Sequence, residues 1–283
     1  AYSVTTASDG SIYLAGFTES NLDQQTNNGA SDAFVSKYSN DGAKAWTNLI
    51  GGSGYDIAYS LTTARDGSIY LAGSTESNLD QQTNNGGSDA FVSKYNRDGT
   101  KAWTKLLGGS ADDGAYSVTA ASDGSIYLAG FSNSNLDQQT YNNGYGDAFI
   151  SKYNSDGTKA WTKLFGGPAD DRATSVTTAS DGSIYLAGYT SSNLDQQTNV
   201  GQYDAFLIKL AEQHINNAST GTPTLSGTLK VGSTLTIDKS QIKDKDNYES
   251  WTPTFFYKWE FSSDSGKTWR ELTSSDAKDG NST

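Results

Sequence analysis

Ser-Asn-Leu-Asp-Gln-Gln-Thr-Asn-Asn occupies residues Ser20–Asn28, and this stretch returns almost unchanged three more times along the chain. The later copies lie at Ser77–Asn85, Ser134–Thr140 and Ser192–Asn199. The flanks recur as well, with units that start at Ala1, Ala58, Ala115 and Ala173 and are spaced by 57, 57 and 58 residues. The first two units differ at only 12 of 57 positions. A fixed period of this kind indicates one supersecondary unit copied in tandem.

Each unit contains four short runs with the pattern of β-strands. In the first unit they are Ala1–Thr6, Ile12–Phe17, Ala33–Tyr38 and Lys44–Ile50. Asp-Gly pairs, which favour tight hairpin turns, separate the first two runs and the last two. No helical periodicity appears in the unit. Four antiparallel strands per period are the content of a propeller blade, so the sequence predicts an all-β fold of four-stranded, β-propeller-type blades.

The repeated motifs also resemble a known family. They are Gly51-Gly52 with Asp56, Asp9–Gly16, Asp32–Val35, and Asp41-Gly42 with Trp46. Together they look like the bacterial β-propeller repeat abbreviated SBBP, over residues 1–210 and in all four copies. The resemblance implies a propeller, commonly seven-bladed, in large secreted or surface proteins of bacteria. It implies no single activity.

The predicted domains follow the repeats. We expect propeller blades at 1–57, 58–114, 115–172 and 173–210, and the fourth unit stops after its third strand. Upstream blades in a longer parent chain, closure of the ring by another chain, and an open stack of blades all remain compatible with this ending. A linker at 211–220 carries His214, the only histidine.

Residues 221–283 resemble the immunoglobulin-like domains of large bacterial surface proteins. Thr222–Leu235 alternates as strands do, and Phe255–Glu260 followed by Ser265–Trp269 is typical of a hairpin. Trp259 would be the core anchor of such a β-sandwich. The pattern lacks a closing strand, so we expect an incomplete domain.

Composition excludes several classes of partner and chemistry. The net charge is −12, with a pI near 4.4, and the 20 basic residues form no cluster. Such a chain repels phosphate backbones, so we expect no nucleic-acid partner. No apolar run approaches the length of a membrane helix, so we expect no membrane insertion. There is no cysteine, which excludes disulfides, thiolate nucleophiles and Cys-ligated zinc.

The repeated loop is the first candidate site, because topology places it at the same edge of every blade. The candidate binding residues are Asp23, Gln24, Gln25, Asp80, Gln81, Gln82, Asp137, Gln138, Gln139, Asp195, Gln196 and Gln197. Amide and carboxylate groups of this kind bind carbohydrate hydroxyls. Alternatively, these side chains satisfy their own loop backbones and pack neighbouring blades together. We also expect Asp56 to lie beside Asp23 and Gln25, because the loop and the Gly-Gly turn emerge on one face.

A second set of aspartates recurs at strand ends and at the Gly-Gly turns. The candidate metal ligands are Asp32, Asp56, Asp89, Asp113, Asp147, Asp171 and Asp204. Carboxylates are hard oxygen ligands, so the cation they favour is Ca²⁺, while no cofactor is required. Alternatively, an aspartate at the start of a strand caps a loop by accepting backbone N–H bonds. The tryptophans at 46, 103 and 161 are predicted to be blade core rather than sugar-stacking platforms.

These features predict a non-enzymatic protein. A Ser-His-Asp triad needs a packed histidine, and the repeats contain none. Identical carboxylates in every unit argue against a single asymmetric site of the kind a polysaccharide-degrading enzyme uses. We therefore expect a secreted or cell-surface structural or adhesion protein, whose repeats form a multivalent interaction scaffold. Its partners would be other copies, joined through open blade edges, or other surface proteins. The alternative is a lectin-like propeller that binds carbohydrate.

Overall fold

The computed structural model describes residues 1–141 and 145–210, together with 224–226, 236–238, 260–261, 267–268 and 270–271. The chain divides into two compact units, Ala1–Gln213 and His214–Thr283. Among the residues that the structure describes, no helix has the length and apolar character needed to cross a membrane. The prediction of an all-β fold is confirmed.

The first unit consists of antiparallel sheets that follow one another along the chain. Blade 1 contains β1 Ser3–Thr6, β2 Ile12–Thr18, β3 Asp32–Tyr38 and β4 Lys44–Ile50. Blade 2 contains β5 Asp56–Thr63, β6 Ile69–Thr75, β7 Asp89–Tyr95 and β8 Lys101–Leu107. Blade 3 contains β9 Asp113–Ala120, β10 Ile126–Ser132, β11 Asp147–Tyr153 and β12 Lys159–Phe165. Blade 4 contains β13 Asp171–Thr178, β14 Ile184–Thr190 and β15 Asp204–Leu210. In each blade the strands pair in chain order, as the repeat predicts.

The second unit is described only at two short strand pairs. β16 Thr224–Ser226 pairs with β17 Thr236–Asp238, and β18 Glu260–Phe261 pairs with β19 Arg270–Glu271, both antiparallel. The predicted linker 211–220, most of the immunoglobulin-like segment and Trp259 lie outside the described residues.

The Asp-Gly pairs form the tight turns that join the first two strands of each blade. In blade 1, Asp9 Oδ1 accepts the Ser11 N–H at 2.9 Å, and Gly10 adopts a φ of +82°. A glycine suits this left-handed conformation because it has no Cβ to clash with the following carbonyl. The same φ region recurs at Gly67, Gly124 and Gly182.

Neighbouring blades pack face to face and bury one core at each junction. We call the face that packs on the preceding blade the leading face and the other the trailing face. In β6, Ile69 and Leu71 on the leading face join the core shared with blade 1, whereas Tyr70 and Ala72 on the trailing face join the core shared with blade 3. Because both faces are covered, all four side chains are at most 1% exposed.

The two end faces of the stack expose apolar residues whose counterparts are buried at the junctions between blades. Val4, on the leading face of blade 1, is 64% exposed, whereas its counterparts Leu61, Val118 and Val176 are at most 6% exposed. Leu207, on the trailing face of blade 4, is 70% exposed, whereas its counterpart Val92 is fully buried.

Candidate functional site

The repeated loop folds into a two-residue reverse turn in every blade. Leu22 and Gln25 form an isolated antiparallel bridge, and so do their equivalents in the other three blades. The two central residues both have positive φ, 52° at Asp23 and 65° at Gln24 in blade 1. Non-glycine residues adopt this region only where the surroundings hold them in it. The loop is therefore a fixed element of the blade.

The last glutamine of the turn fastens the loop to the outermost strand. In blade 2, the side-chain amide of Gln82 donates to the Thr104 carbonyl at 2.5 Å, and its oxygen accepts the Leu106 N–H at 3.2 Å. Gln25 and Gln139 make the same pair of contacts in blades 1 and 3. An edge strand exposes unpaired backbone groups that invite pairing with another chain. The amide satisfies two of those groups in each of blades 1 to 3.

The aspartate of the turn adds an ion pair to the same strand. Asp80 contacts Lys101 Nζ at 2.5 Å, and Asp23 and Asp137 contact Lys44 and Lys159 in the same way. The hydrogen bond from Lys44 lowers the pKa of Asp23, as does a hydrogen bond from Thr47. Sequence reasoning missed the lysines, although each one opens the fourth strand of its blade. Both contacts join the loop to the fourth strand of its own blade, rather than to the loop backbone or to a neighbouring blade.

The remaining residue of the turn stays at the surface. Gln24 is exposed, and its equivalents Gln81, Gln138 and Gln196 are exposed too. Asn27 serves the loop itself, because its side-chain oxygen accepts the Gly29 N–H at 3.2 Å. Asp23 and Gln25 bind the outer strand, whereas Asp56 binds the Gly-Gly turn. Asp56 also accepts the hydroxyl of Ser77, the first residue of the repeated loop in blade 2, so the loop and the Gly-Gly turn meet through Asp56 rather than through the aspartate or glutamine of the turn.

The strand-end aspartates form pairs at the blade junctions. Each pair joins the first residue of a third strand to the first residue of the next blade: Asp32 with Asp56, Asp89 with Asp113, and Asp147 with Asp171. All six side chains are fully buried. Asp204 in blade 4 is half-buried and accepts the Val200 N–H at 2.8 Å.

The second member of each pair is fully hydrogen-bonded. Asp56 Oδ2 accepts the Gly52 N–H at 2.8 Å and the Ser77 hydroxyl at 3.0 Å, while Oδ1 accepts the Thr75 hydroxyl. Asp113 and Asp171 likewise accept the N–H of Gly109 and Gly167 at 2.8 Å. These carboxylates hold the Gly-Gly turn and the loop of the next blade in place.

In the first two pairs, the first member has one buried oxygen with no hydrogen-bond partner among the described residues. Asp32 Oδ2 accepts the Asn28 N–H at 3.2 Å, but its Oδ1 is buried and unsatisfied, and Oδ1 of Asp89 is in the same position within the described residues. A Cβ on Gly51 would lie 2.3 Å from Asp32 Oδ1 and 2.8 Å from Asp56 Oδ2, so both carboxylates pack closely against this glycine. Burial, and to a smaller extent the charge of Asp113, raise the pKa of Asp89 to about 6. A proton on this carboxyl group relieves both costs.

Metal binding at these aspartates remains a prediction. Ca²⁺ takes about six to eight oxygen ligands. In the described part of the chain, no three or more His, Cys, Asp or Glu side chains converge to hold one metal ion. Each buried pair supplies two carboxylates, one of which already accepts several hydrogen bonds. Burial raises the pKa of Asp32 and of Asp89, which favours a proton on the first member of these two pairs.

The pair predicts a pH dependence of stability. The pKa of Asp89 is about 6 in the folded chain against 3.8 ordinarily, so its protonation favours folding. This contribution is fully present below pH 3.8 and is lost as the pH rises through about 6. We expect the urea midpoint to fall between pH 4 and pH 7, and to fall less in Asp89→Asn.

The control for this measurement is Asp112→Asn, which removes an exposed carboxylate nearby and should leave the slope unchanged. Aspartates with a lowered pKa affect stability over a different pH range. The side-chain hydrogen bond from Thr100 lowers the pKa of Asp98, so its contribution is lost only as the pH falls below 3.8. An equal slope in wild type and Asp89→Asn would show that the pair does not hold the proton.

Comparison with known proteins agrees with the blades. The family model described as Beta-propeller repeat, SBBP, matches residues 45–80 and 160–195, which confirms the resemblance in the repeats. Each matched segment runs from the fourth strand of one blade through two strands of the next to the aspartate of its turn. A protein of Caulobacter vibrioides named Regulatory protein FlaEY is 26% identical over 230 residues. The alignment covers 70% of this chain and 23% of that protein, so the chain spans less than a quarter of the relative's length.

Proposed function

We propose that this chain is a non-enzymatic structural and adhesion protein of the bacterial surface or extracellular space, in which stacked blades form an interaction scaffold. The resemblance of the repeats to SBBP supports the surface location. The candidate carboxylates and amides support the non-enzymatic role, because in blades 1 to 3 most of them bind their own blade. Gln24 and its equivalents remain as a regularly spaced polar surface along the stack.

The observation that carries the scaffold proposal is the exposure of the two end faces. The chain repeats the same junction three times, and each time a trailing face buries the leading face of the next blade. Blade 1 offers a leading face with Val4, and blade 4 offers a trailing face with Leu207. Burying apolar area of this kind is favourable at about 25 cal/mol per Å². Blade 4 of one molecule therefore suits blade 1 of the next.

Size-exclusion chromatography with light scattering tests this assembly. We expect the mean mass of the wild-type chain to rise with concentration, and Val4→Lys to remain monomeric because it places a charge in the junction. Since Val4 is 64% exposed, lysine is tolerated in the monomer. Thr26→Lys, in the exposed loop, is the matched control and should assemble as the wild type does.

Two results would count against the assembly. One is a wild-type chain that stays monomeric at every concentration. The other is a Val4→Lys chain that assembles as strongly as Thr26→Lys.

A further inference from the structure

The outer edge of blade 4 differs from that of the other blades. In blades 1 to 3 the third strand is covered by β4, β8 or β12, whereas β15 is the last strand of a three-stranded sheet. Among the described residues nothing pairs with the free side of β15. Its alternate residues Ala205, Leu207 and Lys209 are exposed.

The turn that binds the fourth strand in blades 1 to 3 is nevertheless present in blade 4. Leu194 and Gln197 form the same bridge as in the other blades. The φ angles are 46° at Asp195 and 64° at Gln196, against 47° and 64° at the equivalent positions of blade 3. Within the described chain, neither the amide of Gln197 nor the carboxylate of Asp195 has a hydrogen bond or ion pair, and both residues are exposed. The turn of blade 4 therefore has the same conformation as the others, although no fourth strand is bound to it among the described residues.

We call the place beside the third strand, where β4, β8 and β12 lie in blades 1 to 3, the slot. The strands that fill it share a Lys-Ala-Trp-Thr-x-Leu pattern and are Lys44–Leu49, Lys101–Leu106 and Lys159–Leu164. The lysine pairs with the aspartate of the turn, and the backbone after the tryptophan bonds to the glutamine. The tryptophan packs on a tyrosine of the second strand, with ring centroids 5.9 Å apart for Tyr70 and Trp103. Blade 4 has Tyr185 at this position, half-buried, with Lys209 Nζ 5.6 Å from its centroid.

One position in the slot of blade 4 is altered. In blades 1 to 3 the threonine hydroxyl lies within hydrogen-bond distance of a buried serine hydroxyl, at 2.8 Å for Ser93 and Thr104. The residue at the serine position in blade 4 is Ile208, which pairs with Leu186 as Ser93 pairs with Leu71. A threonine there would bury a hydroxyl without a partner. The slot of blade 4 therefore selects valine or isoleucine over threonine.

We propose that the outer edge of β15, with Asp195, Gln197 and Tyr185, is an acceptor site for a β-strand donated by another polypeptide. The strand adds to the edge of the sheet by backbone pairing, and side-chain pockets give the specificity. Its pattern is Lys-x-Trp-Val/Ile-x-Leu.

We take the donor to be a different polypeptide, because in the described part of a second copy the strands of this type, β4, β8 and β12, are paired within their own blades. Within this chain, 267–272 has the spacing Lys-x-Trp-x-x-Leu, but Arg270 would place a charge opposite Ile208. Tyr185 and Leu207 share the trailing face of blade 4, so a strand bound at this edge adjoins the stacking surface proposed above, whereas Val4 lies on the leading face of blade 1.

Peptide binding tests the site. The probe is a fluorescently labelled peptide with the sequence of residues 157–167 and the change Thr162→Val, titrated with the full chain and followed by fluorescence anisotropy. We expect the valine peptide to bind saturably. The parent threonine peptide should bind at least about tenfold more weakly, because its hydroxyl would be buried without a hydrogen-bond partner. A peptide that also carries Lys159→Glu should bind more weakly still, since it opposes Asp195.

Matched variants of the protein locate the binding. Gln197→Ala should weaken binding of the valine peptide severalfold, whereas Gln196→Ala, at the exposed neighbouring position, should leave it unchanged. Val4→Lys should also leave it unchanged, which separates this site from blade stacking. Three results would overturn the proposal: no saturable binding of the valine peptide, equal affinity for the valine and threonine peptides, or equal affinity for Gln197→Ala and wild type.

Discussion

Replacing Asp113 by alanine is expected to lower the free energy of unfolding by about 3 kcal/mol, because the change leaves several buried hydrogen-bond donors without an acceptor. Asp113 Oδ2 accepts the Gly109 N–H at 2.8 Å, and Oδ1 accepts the Ser132 hydroxyl. The side chain is fully buried, so no water replaces these contacts at low cost. Loss of the repulsion between Asp113 and Asp89 offsets only part of the penalty. Urea unfolding followed by circular dichroism measures the effect.

Asp112→Ala is the matched control for this variant. Asp112 is the adjacent residue and is exposed, and its carboxylate accepts the Ser88 N–H at 3.1 Å. Surface changes of this kind usually cost less than about 1 kcal/mol. If Asp113→Ala unfolds at the same urea concentration as Asp112→Ala, the buried pairs do not hold the blade junctions together.

The repeat itself accounts for how much of the fold could be predicted from sequence. The observed strand β4 runs from Lys44 to Ile50, as its pattern predicts, and the Asp-Gly turns lie where hairpin chemistry requires them. The third strand begins one residue earlier than predicted, at Asp32. These features depend on local pattern, which a sequence carries directly.

The chemistry of the site depends on contacts that local pattern does not carry. Asp32 and Asp56 begin strands of different blades and are far apart in the sequence, so no local pattern indicates that their carboxylates meet at Gly51. The role of Gln25 was equally hidden, because an amide that caps an outer strand and an amide that binds a sugar have the same sequence. Only the position of the turn relative to Thr47 and Leu49 distinguishes them.

Replacing Gly73 by alanine is expected to destabilise the chain by about 3 kcal/mol, at the upper end of what overpacking costs. A Cβ on Gly73 would lie 1.8 Å from the carbonyl oxygen of Ile57 and 2.8 Å from Phe91 Cε1. The first neighbour is backbone, so rotation of a side chain cannot relieve the clash. The register of β5 on β6 shifts between Ala58 and Ser60, next to the residue that pairs with Gly73. Strand β5 must therefore move away from β6, and the junction with blade 1 loosens with it.

Gly124→Ala separates this clash from backbone strain. Gly124 has a φ of +85°, and the nearest atom to an added Cβ is 4.0 Å away, so its substitution costs only the left-handed conformation, about 1 to 2 kcal/mol. We expect the urea midpoint of Gly73→Ala to fall well below that of Gly124→Ala. The same clash exists at Gly130 and Gly188, where the nearest carbonyl oxygen is 1.9 Å away. Equal midpoints for the two variants would mean that the second strand has room to shift, and that the glycine in each blade reflects duplication rather than packing.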